Sequence, residues 1–187
     1  ERDKDEHIKM QAVEVLEDMY SESGDKKKSL PWNILLHKYF KNTSQVQKYS
    51  GQTFDLALTY SRLYLSDSAP EYKTKAIYYF KILDKLIDSL DLRGPFLNWV
   101  LQNKFDIELL SGKEVVTLLD NNYNSRYQFT RPQSRNLKLQ VYVSTNQFDS
   151  LKAYIERIPA SEFKLIWLKK YYLKKGEYAK AIPLLKE

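Results

Sequence analysis

The stretch Tyr172-Leu173-Lys174-Lys175-Gly176-Glu177-Tyr178-Ala179-Lys180-Ala181 has a counterpart 30 residues earlier, Tyr142-Val143-Ser144-Thr145-Asn146-Gln147-Phe148-Asp149-Ser150-Leu151. Tyr172 stands over Tyr142, Gly176 over Asn146, Tyr178 over Phe148 and Ala181 over Leu151. Gly and Asn enter the left-handed backbone region most readily, and a residue in that region closes a helix. An aromatic two residues later can pack back on the closing helix. A small or apolar residue five positions later lets the second helix approach the first. This is the pattern of a helix–turn–helix unit that buries its apolar face against its neighbour. Leu139 to Val143 alternates like a strand, but its place inside the repeat predicts a helix.

Working outward, nearly every other segment has a helical period. A first helix is expected from about Asp5 to Tyr20, with Ile8, Ala12, Val15, Leu16 and Met19 on one buried stripe. Ser21 to Ser29 is expected as a loop, and Pro31 as the first residue of a helix running to about Lys41. Asn42 to Gly51 reads as a polar break or a short frayed helix. Phe54 to Leu65 forms the next helix, with Phe54, Leu58, Ser61 and Leu65 on one face. Ser68 and Glu71 have the spacing of a capping box for a long helix, Pro70 to about Leu90, whose apolar face includes Ala76, Phe80, Leu83 and Ile87. Gly94-Pro95 leads into a helix from Phe96 to Gln102. Ser111 and Glu114 form a second capping box. Asn121 to Asn136 breaks the period: it is polar, basic and aromatic, and Pro132 interrupts it. Helices then resume over 137–145, 149–158, 161–175 and from 177 onward.

The C-terminal residues resemble the tetratricopeptide repeat family. Leu168, Tyr172, Gly176, Tyr178 and Ala181 sit where that family places its Leu, Tyr, Gly, Tyr and small Ala. Lys174 to Ile182 (KKGEYAKAI) is similar to the family's turn between its two helices. Ala76 to Phe80 resembles the start of a second helix, preceded by Tyr60, Leu63 and Tyr64 in a first, with a longer turn than the family's. Leu165 and Lys169 replace the family's Trp and its other Gly, the offset is 30 residues, and Pro183 falls inside the second helix. The resemblance implies an all-α fold of antiparallel helix pairs, stacked as an irregular α-solenoid and forming a single helical repeat domain over 1–187. The alternative is an irregular helical bundle. Similar degenerate repeats occur in vesicle-coat, nuclear-pore and ribosome-assembly scaffolds, and pentatricopeptide RNA-binding repeats are more distant relatives.

Composition narrows the chemistry. The 187 residues include no Cys and only 5 Gly. That excludes disulfides, thiolate metal sites and a Cys nucleophile. No glycine-rich phosphate loop occurs, and no apolar run is long enough to cross a membrane. There are two His. His7 lies among charges, and His37 is expected as a satisfied helix residue. Asp106 and Glu108 are two apart and do not share a helix face, while Asp84, Asp88, Lys81 and Lys85 suggest a solvated ion-pair lattice. We therefore expect no catalysis, no metal, no cofactor and no small-molecule substrate. The absence of Cys fits an intracellular setting, nuclear or cytoplasmic. The chain starts at Glu1 and stops at Glu187 in an expected helix, so we expect it to be a fragment of a larger protein.

The net charge is +6, but it is unevenly placed. Residues 1–24 hold eight acids against three bases, whereas residues 121–138 hold four bases and no acid, and residues 161–187 hold seven Lys against three Glu. Of the 15 Tyr, Tyr60, Tyr79, Tyr172 and Tyr178 are expected in the core. The 121–136 segment interleaves Tyr123, Arg126, Tyr127, Phe129, Arg131 and Arg135. Such a set describes an ordinary or disordered loop, a protein contact rich in Tyr and Arg, or a strip that stacks bases and neutralises phosphates. Lys169, Lys170 and Lys174 on the later helix complete the candidate partner-binding residues. The expected function is a non-catalytic protein–protein interaction or scaffold domain in a multi-subunit assembly. The alternative is an RNA-binding helical-repeat domain using the loop and the Lys-rich helices.

Overall fold

The computed structural model describes residues 2–93, 96–121 and 131–185. The described residues form ten α-helices and no strand, the all-α fold expected from the helical period. They divide into two compact units, Glu1–Leu109 and Leu110–Glu187.

The first unit holds α1 (Arg2–Glu22), α2 (Lys26–Lys41), α3 (Val46–Asp67), α4 (Pro70–Ser89) and α5 (Phe96–Asp106). α3 packs against α2, α4 and α5. A helix contacted on several sides must bury more than one stripe. Accordingly, all six residues from Leu56 to Ser61 are buried. Two buried polar side chains of α3 use their own helix: Ser61 Oγ donates to the Ala57 carbonyl at 2.8 Å, and Thr53 Oγ1 to that of Tyr49 at 2.8 Å. From α4, Ala76, Phe80, Leu83 and Ile87 are buried, as their spacing predicts.

Several expectations about this unit need correction. Four residues of the α1 stripe, Ile8, Ala12, Val15 and Met19, face outward while Leu16 is half-buried, and Val13 and Glu17 are buried instead. The loop over 21–29 shrinks to three residues, because Asp25 caps α2 by accepting the Lys28 amide at 3.1 Å. Pro31 therefore lies inside α2 and not at its first position. The break at 42–51 ends at Gln45, where α3 begins early. Ser68 does not cap α4: it closes α3 in the left-handed conformation at φ 56°, and Ala69 precedes α4 with no side-chain cap. Leu65 is exposed. Asp84 pairs with Lys104 of α5, not within a lattice on its own helix.

His37 also departs from expectation. It is buried, but its Nε2 has no hydrogen-bond partner. The ring packs between Tyr49 at 4.9 Å and Tyr79 at 5.3 Å, and Tyr79 stacks on Tyr60 at 5.6 Å. Burial, and to a lesser degree the charge of Lys41, hold its pKa below the ordinary value. One turn earlier on the same face of α2, Asn33 donates to Glu17 Oε1 at 2.8 Å. Nearby Asp55 has its pKa pushed up to about 6, by burial first and by the Glu17 charge second.

The second unit holds α6 (Gly112–Asn121), α7 (Arg131–Ser144), α8 (Phe148–Glu156), α9 (Glu162–Lys175) and α10 (Tyr178–Ala181), then a short 3-10 turn, Pro183–Leu185. The Ser111 capping box forms as expected. The Ser111 amide donates to Glu114 Oε2 at 2.8 Å, and the Glu114 amide to Ser111 Oγ at 3.3 Å. Pro132 lies in the first turn of α7, where its missing N–H costs nothing. Residues 131–136, expected to be irregular, are therefore helical.

Helix closure repeats. Asn146 (φ 55°) and Gly176 (φ 74°) are both left-handed. After them, Gln147 N donates to the Tyr142 carbonyl and Glu177 N to the Tyr172 carbonyl, each at 2.9 Å. The same six-to-one bond thus closes two helices 30 residues apart. Leu151 and Ala181, at the equivalent small or apolar position, are fully buried. The core comprises Leu139, Leu151, Ile155, Ile158, Trp167 and Tyr171, with Phe148 and Tyr172 against it. Tyr178, expected in the core, is 62% exposed.

Candidate functional site

α7 and α9 pack against each other as well as against α8. Positions 30 residues apart on the two helices fall side by side. Val143 and Leu173, Gln140 and Lys170, and Ser144 and Lys174 are each 30 residues apart. All six line one open groove of about 660 Å³, with Trp167 and Asn146. Val143, Leu173 and the Trp167 ring form its apolar part. Leu173 is 40% exposed.

Electrostatics set the character of the groove. Among the described residues that line it, two are Lys and none is acidic. Lys170 Nζ stands 4.4 Å from the centre of the Trp167 ring, a cation–π contact that fixes the ammonium over the groove's aromatic wall. Lys174, one turn later, is exposed. Lys and aromatic groups recur in this unit. Arg135 of α7 stands 5.8 Å from the Phe163 ring. Lys138 is buried and satisfied by an ion pair with Asp120, with its Nζ 5.7 Å from Tyr154.

The candidate residues from the sequence thus separate. Lys170 and Lys174 come together in the groove. Lys169 neighbours them in sequence but is not part of the lining. Arg135 is half-buried against Phe163. Tyr123, Arg126, Tyr127 and Phe129 lie outside the described residues, as does the side chain of Arg131 at the start of α7. The sequence reading missed Gln140, Val143, Ser144, Asn146, Trp167 and Leu173 as site residues. Their signal was present, since most stand in register across the 30-residue offset.

Among the described residues, no group of three or more His, Asp or Glu is placed to hold a metal ion, and no helix is long and apolar enough to cross a membrane. No protein-family model matches the chain, and no curated protein or solved structure is significantly similar to it.

Proposed function

We propose that this chain is a non-catalytic protein-interaction module of a larger assembly, and that the α7/α9 groove holds a segment of a partner protein. The observation that carries this reading is that one groove is built from the same face of two repeat-equivalent helices, with an apolar wall and two lysines. Such a surface suits an extended or helical segment with an apolar anchor and acidic neighbours. The anchor fills the space beside Val143, Leu173 and Trp167, and the acids meet Lys170 and Lys174. The paired closures at Asn146 and Gly176 support reading this unit as a tetratricopeptide-like hairpin stack.

RNA is the competing ligand. The cation–π contact weighs against it in this groove, since Lys170 occupies the Trp167 face on which a base would stack. The test uses two labelled probes, a peptide alternating Leu and Glu and a uridine oligomer, with anisotropy as the readout. The peptide is expected to bind, and Leu173→Ser with Lys174→Glu to weaken it about tenfold. Tighter binding of the oligomer, with a steep salt slope lost in Lys169→Glu/Lys170→Glu/Lys174→Glu, would establish the RNA reading instead. Peptide binding indifferent to the groove variants would remove the site.

A further inference from the structure

Of the stripe that the sequence assigns to the core of α1, Leu16 is half-buried and the other four residues are on the surface. Ile8 is 54% exposed, Val15 58% and Met19 61%, and Ala12 between them is exposed as well. The helix reaches its own unit through the opposite side, where Val13 and Glu17 are buried and Met10 packs against the Val13, Leu36 and Phe40 cluster. Single exposed apolar residues need no explanation, but a continuous seam at helical spacing does.

The seam has a definite pattern. Residues 8, 12, 15 and 19 are separated by four, three and four positions, the alternation of a two-helix seam. It spans about 16 Å along the axis. Continued by the same alternation, it meets Asp5 three residues before Ile8 and Glu22 three residues after Met19. An acid therefore stands in line at each end of the apolar stretch. Asp18 lies beside it, next to Met19 in sequence and three residues after Val15. All three acids are exposed, and no ion pair joins any of them to another described residue. Glu14, off the seam, is by contrast held by Lys48 at 2.7 Å.

We propose that this seam docks a short amphipathic helix of a partner protein, with apolar residues at the matching spacing and Lys or Arg at both ends. The spacing selects a helix, since the apolar side chains of a strand would fall out of register with it. The charge selects a basic one. A second copy of the chain is disfavoured for the same reason: residues 5–22 carry six acids (Asp5, Glu6, Glu14, Glu17, Asp18, Glu22) against the single base Lys9, so self-pairing would set like charges face to face. The inference uses no residue of the α7/α9 groove and stands or falls separately from it.

Two designed helical peptides of about 18 residues test it. They share one Leu face and differ only in carrying Lys or Glu at its ends and flanks. Binding to the full chain is read by anisotropy at low and high ionic strength. The Lys peptide is expected to bind about tenfold more tightly than the Glu peptide, with the difference shrinking as salt rises. Val15→Ser/Met19→Ser should weaken the Lys peptide about tenfold, and Asp5→Lys/Glu22→Lys should reverse the preference. Both pairs lie on the exposed face, and circular dichroism checks that the variants keep their helix content. The Leu173→Ser/Lys174→Glu groove variant should bind the Lys peptide normally. Equal affinity for the two peptides, or binding that survives Val15→Ser/Met19→Ser, overturns the proposal. So does a dimer in light scattering that Val15→Ser/Met19→Ser converts to monomer, since a second copy would then cover the seam.

Discussion

In Glu1–Leu109 the interior holds Glu17, Asn33, His37, Thr53, Thr59, Ser61 and Asn103 beside its aliphatic residues. In Leu110–Glu187 the buried polar side chains among the described residues are those of Ser134 and Lys138. The first unit uses long helices, of which α3 and α4 run 22 and 20 residues, and its α3 is surrounded. The second uses helices of 14 residues or fewer, closed by the same turn twice. A surrounded helix must place whatever its sequence provides in the interior, so polar groups enter the core and need partners. A stack of short hairpins exposes one side of every helix, so polar residues stay outside and lysines lie along aromatic rings. The two units should therefore respond differently to volume, to pH and to backbone changes.

The largest expected effect is on volume. Phe80→Ala should destabilise the first unit by about 3–5 kcal/mol, because its side chain is fully buried. Hydrogen exchange should then rise across α3 and α4 while protection in α8 and α9 is unchanged. Leu151→Ala, also fully buried, should give the reverse map at a cost of about 2–5 kcal/mol. Loss of protection in both units from either change would show that they fold as one.

Next is pH. Asp55 has a folded pKa of about 6 against an ordinary 3.8, so the folded chain keeps a proton that the unfolded chain releases. That stabilisation is present below about pH 4 and lost as pH rises through about 6, a change of roughly 3 kcal/mol. Glu17, raised by burial first, acts in the same direction. His37 acts in the opposite one: its folded pKa is lowered, so its contribution is lost as pH falls below the ordinary 6.5. Asp55→Asn isolates the carboxylate. The variant should be more stable than the parent at pH 8, with the gain shrinking toward pH 4, when unfolding is followed by exchange in α3. The Trp167 signal of the second unit should not follow this profile.

The smallest effects are in the turns. Gly176→Ala places a side chain at φ 74° in open space, so only backbone strain is added, about 1 kcal/mol. Asn146→Gly at φ 55° should be neutral or stabilising by a few tenths of a kcal/mol. Thermal unfolding of the two variants compares the closures directly. Ser111→Ala should cost about 1 kcal/mol through the lost cap, with exchange rising first in α6.

The same contrast explains what the sequence made legible. The two matching turns could be read because Tyr142 and Tyr172, Asn146 and Gly176, and Leu151 and Ala181 stand 30 residues apart. The all-α class followed from periodicity everywhere. What periodicity lacks is a direction: it placed Ile8, Val15 and Met19 on one face of α1 but could not say that the core lies against the other. Ser68 shows a second limit. Its spacing to Glu71 is that of a capping box, yet the residue is spent closing α3, because α3 and α4 are separated by only two residues. At the groove, Lys170 and Lys174 were visible as charges. Val143 and Leu173 were visible only as aligned letters, since exposure depends on how two helices pack.

The paired closures also make the hairpin a removable part. Joining Asn146 directly to Glu177 would delete 30 residues, yet the new junction would present an amide at the position of Gln147, facing the same Tyr142 carbonyl. A chain with interchangeable joints can lengthen or shorten by whole hairpins without inventing a new turn.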